Sequence, residues 1–186
     1  MYFPLSYYHP MYNPMNYNMH YNNWNTNWNP RYCQCNYQEN DFRSPYDRPI
    51  VLKDYGPNPF VINIDEAAEQ NPNFRTALWT GSHLQVTLMS IPVGESIGLE
   101  IHPNVDQFLR IEDGEGIVQM GKNKDRLDFQ ARVQDDFAIV VPAGTWHNLT
   151  NTGNKPIKLY SIYAPPQHPH GTVHQTKAAA MAAEHD

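Results

Sequence analysis

The chain has 186 residues and a formal net charge of −6, from 13 Lys and Arg against 19 Asp and Glu. That length allows one ordinary domain plus a tail, and an acidic balance does not attract phosphate backbones, which argues against a nucleic-acid partner. No apolar run approaches the about 20 residues that cross a bilayer, and the opening MYFPLSYYHPMYNP lacks the basic start and apolar stretch of a signal peptide; no membrane partner and cytoplasmic synthesis are expected.

Composition changes near residue 48. Residues 1–48 are rich in Tyr and Asn, poor in Leu and Ile, and without Val. Such a segment buries too little aliphatic surface to offset the entropy of ordering its backbone, so a disordered, self-associating tail is expected. Cys33 and Cys35 lie in it, spaced C-x-C. They read as two exposed thiols or, more sharply, as sites of intermolecular crosslinking or metal capture. Residues 41–58 look like a linker or an edge strand.

A folded domain is expected over 49–175, beginning with a short strand at 60–64 and a helix at 66–70 capped by Asp65. Arg75 and Trp79 precede the first long strand. Arg75 either holds an anionic substrate group or makes a surface ion pair. Strands are expected at about 84–91, 97–102, 107–112, 116–120, 127–133, 137–141, 147–150 and 157–163, with Asp113–Gly114 as a hairpin signal. Short strands at this spacing indicate an all-β sandwich or barrel. Residues 176–186 form a short helix and tail by Ala propensity.

Strand alternation exposes a polar set. Ile97, Leu99 and Ile101 alternate with Gly98, Glu100 and His102, so a carboxylate and an imidazole share a face. That face is either solvated or lines a lumen that holds an ion. Gln107 stands on a face with Leu109 and Ile111, and His147 on one with Leu149. Polar groups at the ends of apolar faces favour the lumen.

Two motifs then resemble those of the cupin family. The first, G-x5-H-x-H-x(3,4)-E-x6-G, is matched by Gly94, His102 and Gly114, with Glu100 in place of the first His and Gln107 in place of Glu. The second, G-x5-P-x-G-x2-H-x3-N, is matched by Pro142, Gly144, His147 and Asn151, with Asp136 in place of its opening Gly. The resemblance covers about 110 residues. It implies an RmlC-like jelly-roll β-barrel and one divalent metal on Glu100, His102, Gln107 and His147. Two nitrogens and two oxygens suit Mn, Fe, Co, Ni or Zn.

The resemblance also implies a small-molecule ligand and a homodimer, whose interface could cover the stripe Ile97, Leu99 and Ile101. Small single-domain cupins resemble mannose-6-phosphate isomerases, which suggests metal-dependent isomerisation of a sugar or sugar phosphate. An iron-dependent dioxygenase fits less well, because such members keep a His-rich set. The tail resembles those of spore-coat proteins, which suggests a non-catalytic module with coat-protein partners and a place in the spore coat. His168, His170 and His174 could form a second metal site or a lid carrying a general acid or base, with His170 the candidate. Alternatively they are surface histidines on a Pro-stiffened loop.

Overall fold

The structure is a computed structural model and describes residues 50–183. The expected tail at 1–48, with Cys33 and Cys35, lies outside the described residues. The elements are α1 (Ile64–Gln70), β1 (Arg75–Thr80), β2 (Gln85–Ile91), β3 (Asp106–Asp113), β4 (Glu115–Gly121), β5 (Phe129–Gln134), β6 (Ala138–Val141), β7 (Trp146–Asn151), β8 (Ile157–Ala164), β9 (Val173–His174) and α2 (Lys177–Ala183). They form an antiparallel jelly-roll of two sheets, one ordered β6-β3-β8-β2-β1-β9 and the other β5-β4-β7.

The expected elements recur with six differences. Residues 60–63 form no strand. They lie extended on the outer face of the larger sheet, where Phe60, Ile62 and Ile64 pack with Leu78, Leu88, Ala67 and Ala68. Their alternation is that of a strand, but the segment covers a sheet instead of extending one. The helix cap is Asn63, whose side chain accepts from Glu66 N; Asp65 sits in the first turn.

β1 was hidden from periodicity because Arg75–Leu78 are buried on both faces, by the barrel interior and by the outer cover. A strand enclosed on both sides has no solvent-facing alternate, and here Arg75 and Thr76 are buried along with Ala77 and Leu78. The two-residue β9 that pairs with β1 is too short to leave a pattern.

The stretch 97–102 is not a strand either. Gly98 takes φ 99°, in the left-handed region that favours glycine. Only two bridges to β7 remain, Ser96 with Thr150 and Glu100 with His147. The break splits the expected apolar stripe. Ile97 is buried in the core, whereas Leu99 is 39% exposed. The three residues therefore do not form one continuous outward face.

Asp113–Gly114 makes no hairpin within one sheet. Gly114, at φ 97°, is where the chain leaves the larger sheet for the smaller. A Cβ there would stand 3.0 Å from the Ile157 backbone.

Inside the barrel the side chains grade from polar to apolar. Gln85, Thr87, Met89 and Ile91 alternate inward along β2, and β8 runs the opposite way with Ile157, Leu159, Ser161 and Tyr163. Gln85 and Gln107 both pair with Tyr163, and Thr87 with Ser161, so adjacent strands build one polar end. The other end is an apolar core of residues such as Met89, Ile111, Leu149 and Leu159, to which α2 adds Ala180. Burying each large aliphatic side chain there contributes about 1.5–3 kcal/mol. This core fixes the strands that carry the polar end.

Candidate metal centre

Glu100 and His147 face each other across the gap between 97–102 and β7. Their backbones exchange both hydrogen bonds, Glu100 N to His147 O at 3.1 Å and His147 N to Glu100 O at 3.0 Å. His102 follows two residues on, and its carbonyl accepts from Gly144 N at 2.8 Å. The turn that supplies Gly144 also supplies Thr145, whose carbonyl stands 3.0 Å from His147 Nδ1. A proton on Nδ1 leaves the Nε2 lone pair facing the barrel, the usual arrangement of a metal-bound imidazole.

The donor atoms of Glu100, His102 and His147 lie within 4.8 Å of one another. Glu100 Oε1 is 3.5 Å from His102 Nε2 and 3.3 Å from His147 Nε2. Neighbouring ligands on one ion, at bonds of about 2.1 Å, stand about 3.0–3.4 Å apart. These atoms are buried and face one another at the long end of hydrogen-bond distance, with no better-formed bond to satisfy them. Buried polar atoms without partners are rare, and an ion is one of the few things that satisfies such a convergent set. The three residues therefore fit a divalent metal.

Gln107 is 1% exposed on β3. Its Nε2 donates to Ser161 Oγ at 3.0 Å, and its Oε1 is buried with no partner. That orientation leaves an acceptor oxygen inside the barrel, where a carboxylate is usual in the motif.

Arg75 is not on the surface. It is 1% exposed, and its Nη2 stands 3.9 Å from Glu100 Oε2. Burial works against ionisation of Glu100, but His102, His147 and Arg75 outweigh it and hold the carboxyl well below its ordinary range. Glu100 is thus a carboxylate ready for a cation.

Tyr163 lies edge-on to His102, with ring centroids 5.6 Å apart, and burial pushes its phenol up. His168 also lies edge-on to that ring, at 5.1 Å. Gln85 holds the His168 backbone at both ends: its Oε1 accepts from His168 N and its Nε2 donates to His168 O, each at 2.9 Å. His168 Nε2 is buried and unpartnered, and burial together with Arg75 pushes the imidazole down to about 3. His168 is therefore neutral at ordinary pH.

His170 sits elsewhere. Its side chain is 57% exposed, its Nε2 is 3.1 Å from Gly56 O, and it stands 3.5 Å from Asp54. Asp54 also accepts from Gly56 N, Thr80 N, Thr80 Oγ1 and Gly171 N, which ties the outer cover to β1 and to the loop after β8. Of the two histidines in that loop, His168 is the one turned to the barrel, and His174 ends β9, paired with Arg75 of β1. Sequence alternation could not choose between His168 and His170, which share a parity; the choice is made by Gln85, 83 residues away.

A double-layered barrel with a Glu/His/His group between its layers defines the cupin class, and the chain belongs to the cupin superfamily: the Cupin domain model matches residues 87–163. Over 145 residues it is 73% identical to the uncharacterized protein YrkC of Bacillus subtilis (strain 168), covering 77% of this chain and 78% of that one. An uncharacterized protein of Acanthamoeba polyphaga mimivirus is 43% identical over 115 residues, 61% of this chain and 70% of its own. The crystal structure of BH2720 from Bacillus halodurans superposes with a TM-score of 0.70 at 69% identity, over 70% of this chain and 99% of that one. Among the described residues no helix is long and apolar enough to cross a membrane.

Proposed function

We propose that this cupin domain binds one divalent transition metal through Glu100, His102, Gln107 and His147, and that it isomerises a small, polyhydroxylated, sugar-like compound. The observation that carries the reading is the convergence of buried donors that no well-formed hydrogen bond satisfies, drawn from both layers of the barrel. A bound ion would polarise a carbonyl oxygen of the ligand as a Lewis acid. His168 supports the isomerase reading over simple binding. It offers an unpartnered imidazole Nε2 at the polar end, beside the Tyr163 ring, where a proton must be lifted from one carbon and returned to its neighbour. His170, exposed and tied to Asp54, is less suited to that role.

The test has two arms. The chain purified without added metal, and again after chelation and reloading with Mn, Fe, Co, Ni or Zn, should hold about one ion per chain; His102→Ala with His147→Ala should abolish it. The loaded protein should then exchange solvent deuterium into a member of an aldose and ketose panel, with loss of exchange in His168→Gln. Metal content indifferent to the double substitution would end the metal reading, and absence of exchange across the panel would end the isomerase reading.

A homodimer is the expected assembly. It is supported by the row Val140, Phe108 and Ile162 across the outer face of β6, β3 and β8, of which Val140 is 62% exposed. Light scattering of Val140→Asp against the unchanged chain tests it. Anchoring in a spore coat is supported by the Tyr- and Asn-rich composition of 1–48. A chain lacking those residues that still partitions into the coat would refute it.

A further inference from the structure

The metal group is closed off from solvent. The Glu100 side chain is 13% exposed, His102 is 6% exposed, and Gln107 and His147 are 1% exposed each. A solute reaches these donors only if part of the barrel moves. The strands β2 and β8, which build the polar end, are each paired on both sides. The segment 165–171, between β8 and β9, lies in neither sheet. It sets His168 against Tyr163, whose ring is edge-on to His102. Pro165, Gln167, Pro169, His170 and Gly171 are exposed, so little apolar burial holds the segment down.

Its tethers are polar and few. Pro165, Pro166 and Pro169 have no N–H to offer. Among the described residues, the backbone of 165–171 is bonded to the rest of the chain through two side chains, Gln85 to His168 and Asp54 to Gly171. These two side chains are joined through Thr80. Asp54 Oδ2 accepts from Thr80 Oγ1 at 2.6 Å, and Thr80 Oγ1 accepts from Gln85 Nε2 at 2.8 Å. A carboxylate only accepts, so it fixes Thr80 as its donor and leaves the hydroxyl lone pairs to Gln85. Gln85 Nε2 is thereby turned to Thr80 and His168 O, and Gln85 Oε1 to His168 N. One charge on the outer cover orders the loop at the mouth of the barrel.

We propose that 165–171 is a gate over the polar end of the barrel, and that Asp54 is the positioning residue that holds it shut, with His168 in place, through Thr80 and Gln85. Ions and small solutes pass where it lifts. Closure excludes water from the donors and strengthens their hold on a charge. The gate follows from what covers the site; that an ion passes it rests on the proposed function.

Carbethoxylation by diethyl pyrocarbonate, followed at each histidine of the full chain in chelator, reads the gate without metal. In the unchanged chain the exposed His83 and His170 should react at least about tenfold faster than His102 and His168. Asp54→Asn replaces an accepting oxygen by a donor, and Thr80→Val removes the hydroxyl at constant shape. Each should speed His102 and His168 by about fivefold or more and leave His83 unchanged. Thr80→Ser keeps the hydroxyl and should stay within about twofold of the unchanged chain. Amide exchange in Thr80→Val should quicken over 167–171 and not at Leu109 or Leu159. Thr80→Val decides the matter if Asp54→Asn does not fold. The gate is refuted if His102 and His168 react as fast as His83 in the unchanged chain, or if Thr80→Val leaves their rates within about twofold. It is refuted equally if Leu109 and Leu159 quicken in step with the loop, since the whole barrel would then be loosening. In the Mn(II)-loaded chain Thr80→Val should release the ion to EDTA about fivefold faster. A chain that takes up no Mn but shows the gated reactivity loses the metal reading and keeps the gate; Mn uptake with reactivity indifferent to Thr80→Val does the reverse.

Discussion

Replacing Glu100 by Gln keeps the shape of the side chain and removes its charge, and a cycle with Arg75→Gln isolates the contact between those two groups. Glu100 Oε2 and Arg75 Nη2 are 3.9 Å apart, and a pair at that separation attracts by about 4 kcal/mol at an effective dielectric of about 20. Both charges are delocalised over several atoms, and the Glu100 side chain retains 13% exposure, so a coupling of about 2–3 kcal/mol is the expected value. For a domain of this size that amounts to about 8–12 °C in Tm. The assay is a double-mutant cycle by urea unfolding, in chelator, of the unchanged chain, Glu100→Gln, Arg75→Gln and the pair. The double variant should be more stable than the sum of the single losses predicts by about 2 kcal/mol or more. Additivity within about 0.5 kcal/mol would mean that the two charges do not stabilise one another.

Gln85→Leu should remove both hydrogen bonds to the His168 backbone and lower stability by about 2 kcal/mol, with faster amide exchange at His168 and unchanged metal content. Gly98→Ala should cost about 1–2 kcal/mol and weaken metal uptake. Space exists for the methyl group, but φ 99° does not suit alanine, and relaxing it moves Glu100. The Asp54 carboxyl is held below its ordinary value of 3.8: burial opposes this, but Thr80, Gly171 and Gly56 donate to it and prevail. A depressed carboxyl contributes its stability fully above pH 3.8 and loses it as pH falls through the lower folded value, so urea midpoints should drop on that acid limb. Asp54→Asn should flatten that part of the profile; an unchanged acid limb would refute the role of this carboxylate.

Much of the barrel could be read from the chain because alternation survives wherever a strand has one wet face. β3, β4, β7 and β8 lie within a residue or two of their expected limits for that reason. The residues of the metal group were legible through the spacing of two motifs, and alternation gave Glu100 and His102 the shared face they have in the donor group. What alternation missed is the break at Gly98, beyond which Ile97 enters the core. What periodicity could not supply was anything decided by two-sided burial or by distant contact. β1 is enclosed on both faces and so lacks an alternating pattern. The cover at 60–63 imitates a strand because it meets an apolar sheet on one side and solvent on the other. His168 is singled out from His170 by a glutamine on β2, a relation with no local trace.

The donors at the polar end come from opposite walls, Gln107 from the larger sheet and His147 from the smaller. Their spacing is therefore an outcome of how closely the two walls approach, which is governed by bulky aliphatic residues at the far end such as Leu159 and Leu149. Affinity for an ion would then act as a gauge of wall separation. Trimming a remote leucine, with every ligand left in place, would register as a change in metal retention before the barrel itself came apart.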